Sequence, residues 1–437
     1  MRTRLAVVSL VAVTTLTCQA PKPPTWDLLH TLPNIELIDE IAVVPHRAIV
    51  KFRGELPKRN WDPVLLMGIA DLREIARFSE IRVMTFEAPS RSAKDLIDFL
   101  RRTGRFEYVQ PDHVMLALKT PRDSYWKKGR LWGLERIGCP LAWDCSTGDR
   151  EVVVAVVDGG IDPKHADFEK NLWEAPPNFT VDVDGQPVPC TPRKPGYDAI
   201  KNDCESRRSQ HGSHVAGTIG AAEGRDGVVG VNWQTKLLSL RFLDGPSGKE
   251  SDALKALEFL LHTKQKYPSA ADVWVANLSW GTYGYSQALY DSLELIVKEK
   301  ILLVAAAGND GTNNDVKKFY PASLPLTDLI AVAASNSNDE LTADSNYGNS
   351  IHIAAPGEDI WSADFSPYHE TLSGTSMAAA HVSGAAALVA AACETLGPGD
   401  IKKLLLKTAD PVTVTNKTFS GGRVNVREAV KACDCRN

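Results

Sequence analysis

A chain of 437 residues, 43% hydrophobic and 24% charged, has room for one large folded unit and a smaller one, in an ordinary globular balance. A net charge of −5 with no long basic run excludes an electrostatic footprint for nucleic acid. Past the first residues, no apolar run is long and isolated enough for a transmembrane span.

The N-terminus, "MRTRLAVVSLVAVTTLTC", sets Arg2 and Arg4 before an apolar run from Leu5 to Leu16. The run is too short to span a bilayer and has the layout of an export signal, giving a signal peptide over 1–17 and a secreted or extracytoplasmic protein. Cys18 allows lipid anchoring as the alternative to ordinary cleavage, although "TLTC" departs from the usual lipobox. The other seven cysteines agree with export, and the local pairs Cys139–Cys145 and Cys190–Cys204 suggest disulfides. Cys433 and Cys435 then compete for Cys393.

A proline-rich linker is read over 18–45. Next, "RAIVKF" alternates like a strand, "DPVLLMGIADLREIARF" (62–78) has helical spacing, and "EIRVMTFEA" is again a strand. "SAKDLIDFLRRTG" opens with Ser92 and Asp95 at capping-box spacing and stops at Gly104. With "RFEYVQPDHVMLAL" (105–118), the order fits a small ferredoxin-like α+β unit over 46–118, of βαββαβ type. The charged joint "KTPRDSYWKKGR" opens a second unit over 119–437.

From Glu151 onward, very apolar strands such as "EVVVAVVD", "DVWVANLSW" and "ILLVAAAGN" alternate with helices. Such strands are buried on both faces and joined by crossovers, so the fold class is α/β, a doubly wound and mostly parallel sheet, with ligand sites at the strands' carboxyl ends. Asp158, Asn277, Ser279 and Asn309 lie at such ends. "LSGTSMAAAHVSG" places Ser376 at the start of a helix apolar nearly all round. There it is either the cap of a core helix or a nucleophile in a field suited to an oxyanion. A nucleophilic serine needs a base, an orienter for that base and an oxyanion site. His211 or His214, Asp158 and Asn309 are the candidates. Gly212 favours His211, because a missing side chain permits close approach; His214 and His381 read as structural.

"VVDGGID", "HGSHVAG", "AAAGNDG" and "GTSMAAAHVSG", in that order, resemble the subtilisin-like (subtilase) serine peptidases over roughly residues 130–430. The resemblance implies a secreted serine endopeptidase acting on protein or peptide substrates through an acyl-enzyme, with no cofactor required for the chemistry. It implies Ser376 as nucleophile, His211 as general base, Asp158 as its orienter and Asn309 as oxyanion donor. Ser279, Trp280 and Gly281 would pair with the substrate backbone and wall the first specificity pocket. The small unit resembles the family's propeptide, an inhibitor and folding chaperone, which makes the chain a self-processing zymogen cut after Leu118 or Lys119. Asp167 in "KHADF" matches a calcium-binding Asp of the family, which implies structural calcium. In the partner loop Gly224 stands where Asn is expected, and Asp226 is the substitute ligand; the other reading is two surface aspartates. Gly159 stands where Ser or Thr is common, so one hydrogen bond near Asp158 is expected to be missing. Phe319 falls at a pocket floor that is usually small, and is expected to restrict large P1 side chains. An inert peptide-binding homologue and a peptide ligase are the competing functions.

Overall fold

The structure, a computed structural model, describes residues 35–39, 41–57, 68–114, 120–224, 226–412 and 417–433. The signal peptide, Cys18, Cys435 and the Leu118–Lys119 bond lie outside the described residues, as does most of the linker.

The N-terminal residues form one antiparallel sheet from β1 (Glu36–Ile38), β2 (Ile41–Phe52), β3 (Arg73–Phe78), β4 (Val83–Glu87) and β5 (Phe106–His113), with helix α1 (Ala93–Arg102) against β2 and β5. The main strands lie in the order β5-β2-β4-β3, the ferredoxin-like arrangement. Two expectations change. β1 and the start of β2 lie in the segment read as linker, so the sheet begins before residue 46. Residues 73–78, read as the end of a helix, are an edge strand paired with β4, because ladder bonding overrides the local spacing. The capping reading of α1 holds: the Ser92 hydroxyl accepts from Asp95 N at 3.0 Å. Ala48, Val50, Phe86, Leu96, Leu100 and Phe106 form the core of this sheet and helix.

The larger sheet contains β6 (Gly148–Asp158), β7 (Gly196–Asp198), β8 (Gln234–Arg241), β9 (Val273–Leu278), β10 (Leu302–Ala306), β11 (Leu329–Ser335), β12 (Ile353–Pro356), and beyond it the short pair β15 (Asp410–Pro411) and β16 (Gly422–Arg423). Between them run α2 (Gln210–Gly220), α3 (Glu250–Lys266), α4 (Gln287–Lys298), the hairpin β13 (Ile360–Ala363) and β14 (His369–Leu372), α5 (Thr375–Ala392) and α6 (Pro398–Lys407), with α7 (Val426–Lys431) last. The order is β15-β16-β12-β11-β10-β9-β6-β8-β7, parallel except at β15–β16.

Both faces are covered, as the strand composition requires. Val152, Val154 and Val156 of β6 join the core under α2 and α5, while Val153, Ala155 and Val157 join the core under α3 and α4. α5 crosses the centre, packed on β6, β9, β10 and β11, and its alanines allow that close approach. It is the one helix among the described residues long and apolar enough to cross a membrane, yet 89% of that window is buried in the fold.

Cys190–Cys204 and Cys393–Cys433 are disulfides. The expected Cys139–Cys145 pair does not form: Cys139 is a free thiol buried in the core, and Cys145 is disulfide-bonded elsewhere. Cys139 and Cys145 are only six positions apart in sequence, but the helical turn Cys139–Ala142 directs the first into the core.

Candidate active site

After β8 the chain crosses β6 to form β9 on its other side, so the strand order reverses around β6. A crevice at the carboxyl ends of the strands is expected at such a switch. A cleft of about 1010 Å³ opens there, lined among others by His211, Phe242, Gly245, Ser279, Trp280 and Leu372.

Asp158 ends β6 and is fully buried; it accepts from its neighbour Gly159 N at 2.6 Å. Its two oxygens face Nδ1 of His211 at 2.9 and 3.0 Å. Nδ1–H therefore donates to the carboxylate, which leaves Nε2 of this 37% exposed side chain to the cleft. The Asp158 charge raises the His211 pKa above the ordinary imidazole value, against the opposing effect of burial. α2 brings His211 here by its cap, the Ser209 hydroxyl accepting from Gly212 N at 3.3 Å. Gly212 is needed at this point, since a Cβ on it would lie 2.2 Å from the Gly160 carbonyl oxygen and 3.1 Å from Asp158 Oδ1. Close approach, the reason for preferring His211, is thus met.

Ser376 lies in the first turn of α5 and is 8% exposed; its hydroxyl donates to the Ser279 carbonyl at 3.1 Å. Asn309 is exposed, and its Oδ1 accepts from both Thr375 N at 2.8 Å and Thr375 Oγ1 at 2.9 Å. Because a backbone N–H must meet the oxygen, this fixes the amide orientation and leaves Nδ2 to donate beside the helix N-terminus. Asp158, His211, Asn309, Ser279 and Ser376 are thus brought to one end of the sheet.

Sequence reasoning missed the support beneath Ser376. Ser383 Oγ donates to Asn277 Oδ1 at 2.8 Å, Asn277 Nδ2 to Ser279 Oγ at 2.9 Å, and Ser279 Oγ to the Ser376 carbonyl at 2.9 Å. Every member is buried. A buried, mutually satisfied chain of this kind holds the first turn of α5 against β9. The only available signal was that polar residues stood in runs otherwise apolar. Ser209 was missed too: its hydroxyl lies 2.4 Å from where a Gly159 Cβ would stand, so it fills the space of the expected Ser or Thr. Trp280 forms a rigid wall, its indole N–H donating to the Val157 carbonyl at 2.9 Å and its ring meeting Phe242 edge-on at 4.8 Å.

A family model, the subtilase family, matches residues 149–426. The chain belongs to the subtilase family. This subtilase is 32% identical over 359 residues to the thermophilic serine proteinase of Bacillus sp. (strain AK1), covering 81% of this chain and 78% of that protein. It is 30% identical over 315 residues to thermitase of Thermoactinomyces vulgaris, covering 71% of this chain and 99% of that protein. A solved protease from Pseudoalteromonas arctica PAMC 21717 superposes with a TM-score of 0.58 at 28% identity, covering 72% of this chain and all of that one. The subtilase is a serine endopeptidase with the α/β fold expected from the strands.

His214 and His381 are buried. His214 Nε2 donates to the Ile360 carbonyl at 2.8 Å and His381 Nδ1 to the Met377 carbonyl at 2.9 Å. Desolvation pushes both pKa values down to about 4. Above the ordinary value of about 6.5 they are neutral in folded and unfolded chain and contribute no pH slope. As pH falls from there toward about 4, only the unfolded chain takes up the protons, and stability drops by on the order of 3 kcal/mol for each residue. His211 acts in the opposite sense, since its raised pKa gives stability at acid pH that is lost as pH rises through its folded value. Urea unfolding of an inactive variant at pH 7 and pH 4.5 should show the net acid loss, and His381→Gln should flatten the slope. An unchanged slope refutes the assignment.

Asp167, the expected calcium ligand, is buried, and its Oδ2 accepts from Val228 N at 3.0 Å and meets His369 Nε2 at 2.8 Å. The titratable groups clustered with it are the imidazoles of His165 and His369, softer donors than the oxygens that Ca²⁺ takes. Asp226 is exposed and stands outside that cluster.

Proposed function

We propose that this subtilase is a secreted endopeptidase that hydrolyses peptide bonds through an acyl-enzyme on Ser376 and is made as a self-processing zymogen. The observation that carries the reading is the pairing of His211 with buried Asp158, set beside an Asn309 whose amide oxygen is held by Thr375. In the reaction, Ser376 Oγ turns from the Ser279 carbonyl, gives its proton to His211 Nε2 and bonds to the scissile carbonyl carbon. Asp158 stabilises the imidazolium. The oxyanion accepts from Asn309 Nδ2 and the Ser376 N–H, at the positive end of α5. His211 then protonates the leaving amine, and a water, deprotonated by the same nitrogen, hydrolyses the ester.

Ser279, Trp280 and Gly281 extend β9 along the cleft and are assigned to hold the substrate as an added strand. The disulfides Cys190–Cys204 and Cys393–Cys433 support an oxidising compartment, and with the N-terminal layout they support secretion. The N-terminal sheet and α1 are assigned as the inhibitory propeptide, with self-cleavage after Leu118 or Lys119. A bond directly before Pro121 is unfavourable, because proline has no N–H and restricts its neighbour. Fluorophosphonate labelling of Ser376 followed by mapping of casein products tests the function. No labelling identifies an inert homologue, and labelling with ligated products identifies a ligase.

Phe319 bears on preference. Its ring lies 2.4 Å from where a Cβ on Gly281 would stand and 3.1 Å from one on Gly308. Backbone bonds of 2.7 Å each way between Thr282 and Tyr320 hold it there. The slot between these two segments, where Gly308 N donates to Thr375 Oγ1 at 3.1 Å, is thus filled by the enzyme's own ring, and P1 residues such as Gly, Ala or Ser are expected. Phe319→Gly should raise kcat/KM for a P1 Phe peptide relative to P1 Ala by about 100-fold. An unchanged ratio means that the P1 side chain goes elsewhere.

A further inference from the structure

We propose that His165, Asp167 and His369 form a binding site for a divalent transition-metal ion of the Zn²⁺ class. One ligand atom from each lies within 4.8 Å of the others, and all three side chains are more than nine-tenths buried. His369 Nε2 is 2.8 Å from Asp167 Oδ2, and His165 Nδ1 is 3.9 Å from the same oxygen. Around a tetrahedral ion with bonds of about 2.0–2.2 Å, neighbouring ligands stand roughly 3.4 Å apart, so small side-chain shifts admit the ion. Two imidazoles and one carboxylate suit Zn²⁺, Co²⁺ or Ni²⁺, and they are the wrong donors for Ca²⁺.

The surrounding bonds already orient the ligands. His165 Nε2–H donates to the Tyr368 carbonyl at 3.1 Å, which makes Nδ1 the lone-pair nitrogen; that lone pair now accepts weakly from Asp167 N at 3.3 Å, a bond that the ion would replace. Donation from the far nitrogen to a carbonyl is the usual outer support of a metal-bound histidine. Val228 N donates to Asp167 Oδ2 at 3.0 Å, which holds the carboxylate. Gly227 makes room for it, since a Cβ there would lie 2.2 Å from Oδ1. His369 must change most. Its Nε2–H now meets Asp167, and binding moves that proton to Nδ1 through solvent and frees Nε2 for the ion. The remaining position is taken by the second Asp167 oxygen or a water.

The ion would join parts far apart in the chain. His165 and Asp167 follow the loop after Asp158, and His369 opens β14, the strand that runs into Ser376. The ring of Tyr125 covers His369 at 4.8 Å, and Tyr125 N donates to the Gly227 carbonyl at 3.2 Å. Metal would therefore stabilise the peptidase through its N-terminal segment and the approach to the nucleophile.

The test uses untagged full-length protein carrying Ser376→Ala, so that neither autolysis nor activity enters the readout. Titration calorimetry and metal analysis should give one Zn²⁺ per chain, with a rise in Tm in Zn²⁺ that equal Ca²⁺ does not produce. Co²⁺ should give the visible absorption of a tetrahedral ion. His369→Gln, which keeps a donor to Asp167, and His165→Gln should each weaken Zn²⁺ binding by roughly 100-fold. Failure of the Ser376→Ala protein to bind Zn²⁺ overturns the proposal. So does Zn²⁺ affinity unchanged in both histidine variants, which would put the ion elsewhere, at His211 for example.

Discussion

Ser376→Ala is expected to remove casein hydrolysis, with a loss in kcat on the order of 10⁶-fold, the size that loss of the nucleophile has in subtilisin. It is also expected to leave the full-length precursor folded and uncleaved. Both outcomes follow from one hydroxyl: if the chain processes itself, maturation and catalysis share the nucleophile. The variant should fold, because Ser376 Oγ makes one hydrogen bond, to the Ser279 carbonyl, while the Ser376 carbonyl keeps its bond from Ser279 Oγ. N-terminal sequencing of the wild-type product gives the second half of the result, a mature start within a few residues of Leu118–Pro121. A purified Ser376→Ala protein that matures in the absence of other proteases overturns self-processing. A start at Leu131 or beyond points to a separate trypsin-like activator cutting at the basic cluster Lys127–Arg130.

Asn309→Ala is expected to keep peptide binding and lose about 10²–10³ in kcat, the loss seen in subtilisin when one side-chain oxyanion donor is removed. The geometry explains why the effect belongs to kcat. Thr375 holds the oxygen of Asn309, and in the proposed role its Nδ2 meets a charge that exists only after attack, so that it would do little for the bound substrate. The substitution frees Thr375 N and Oγ1 from their shared acceptor, so Asn309→Asp is the useful control. It keeps the oxygen for Thr375, removes the donor and adds a charge that repels the oxyanion, and should be at least as impaired. A loss carried entirely by KM in both variants would make Asn309 a binding residue.

Much of this was legible without coordinates. The valines of β6 announce a strand buried on both faces whatever packs on them, and the alanines of α5 announce a helix at the centre. Ser92 with Asp95 specifies a helix start through bonds made within one turn. The four motifs carried the candidate site because each is a short run in which backbone and side chain must be compatible locally, as Gly212 beside His211 shows. Features made by contact between distant segments were decided only by the tertiary structure. β3 is a strand because β4 pairs with it, against its own spacing. Cys139 is free because its turn faces the core, although Cys145 is close in sequence. Ser209 fills the place beside Gly159, and the ring of Phe319 fills the slot between Gly281 and Gly308. Asp167 was read as an oxygen ligand for calcium because its own motif says so, but the fold turns toward it His369, a residue about two hundred positions away. Local sequence specifies what a segment can form, and only packing specifies which groups meet.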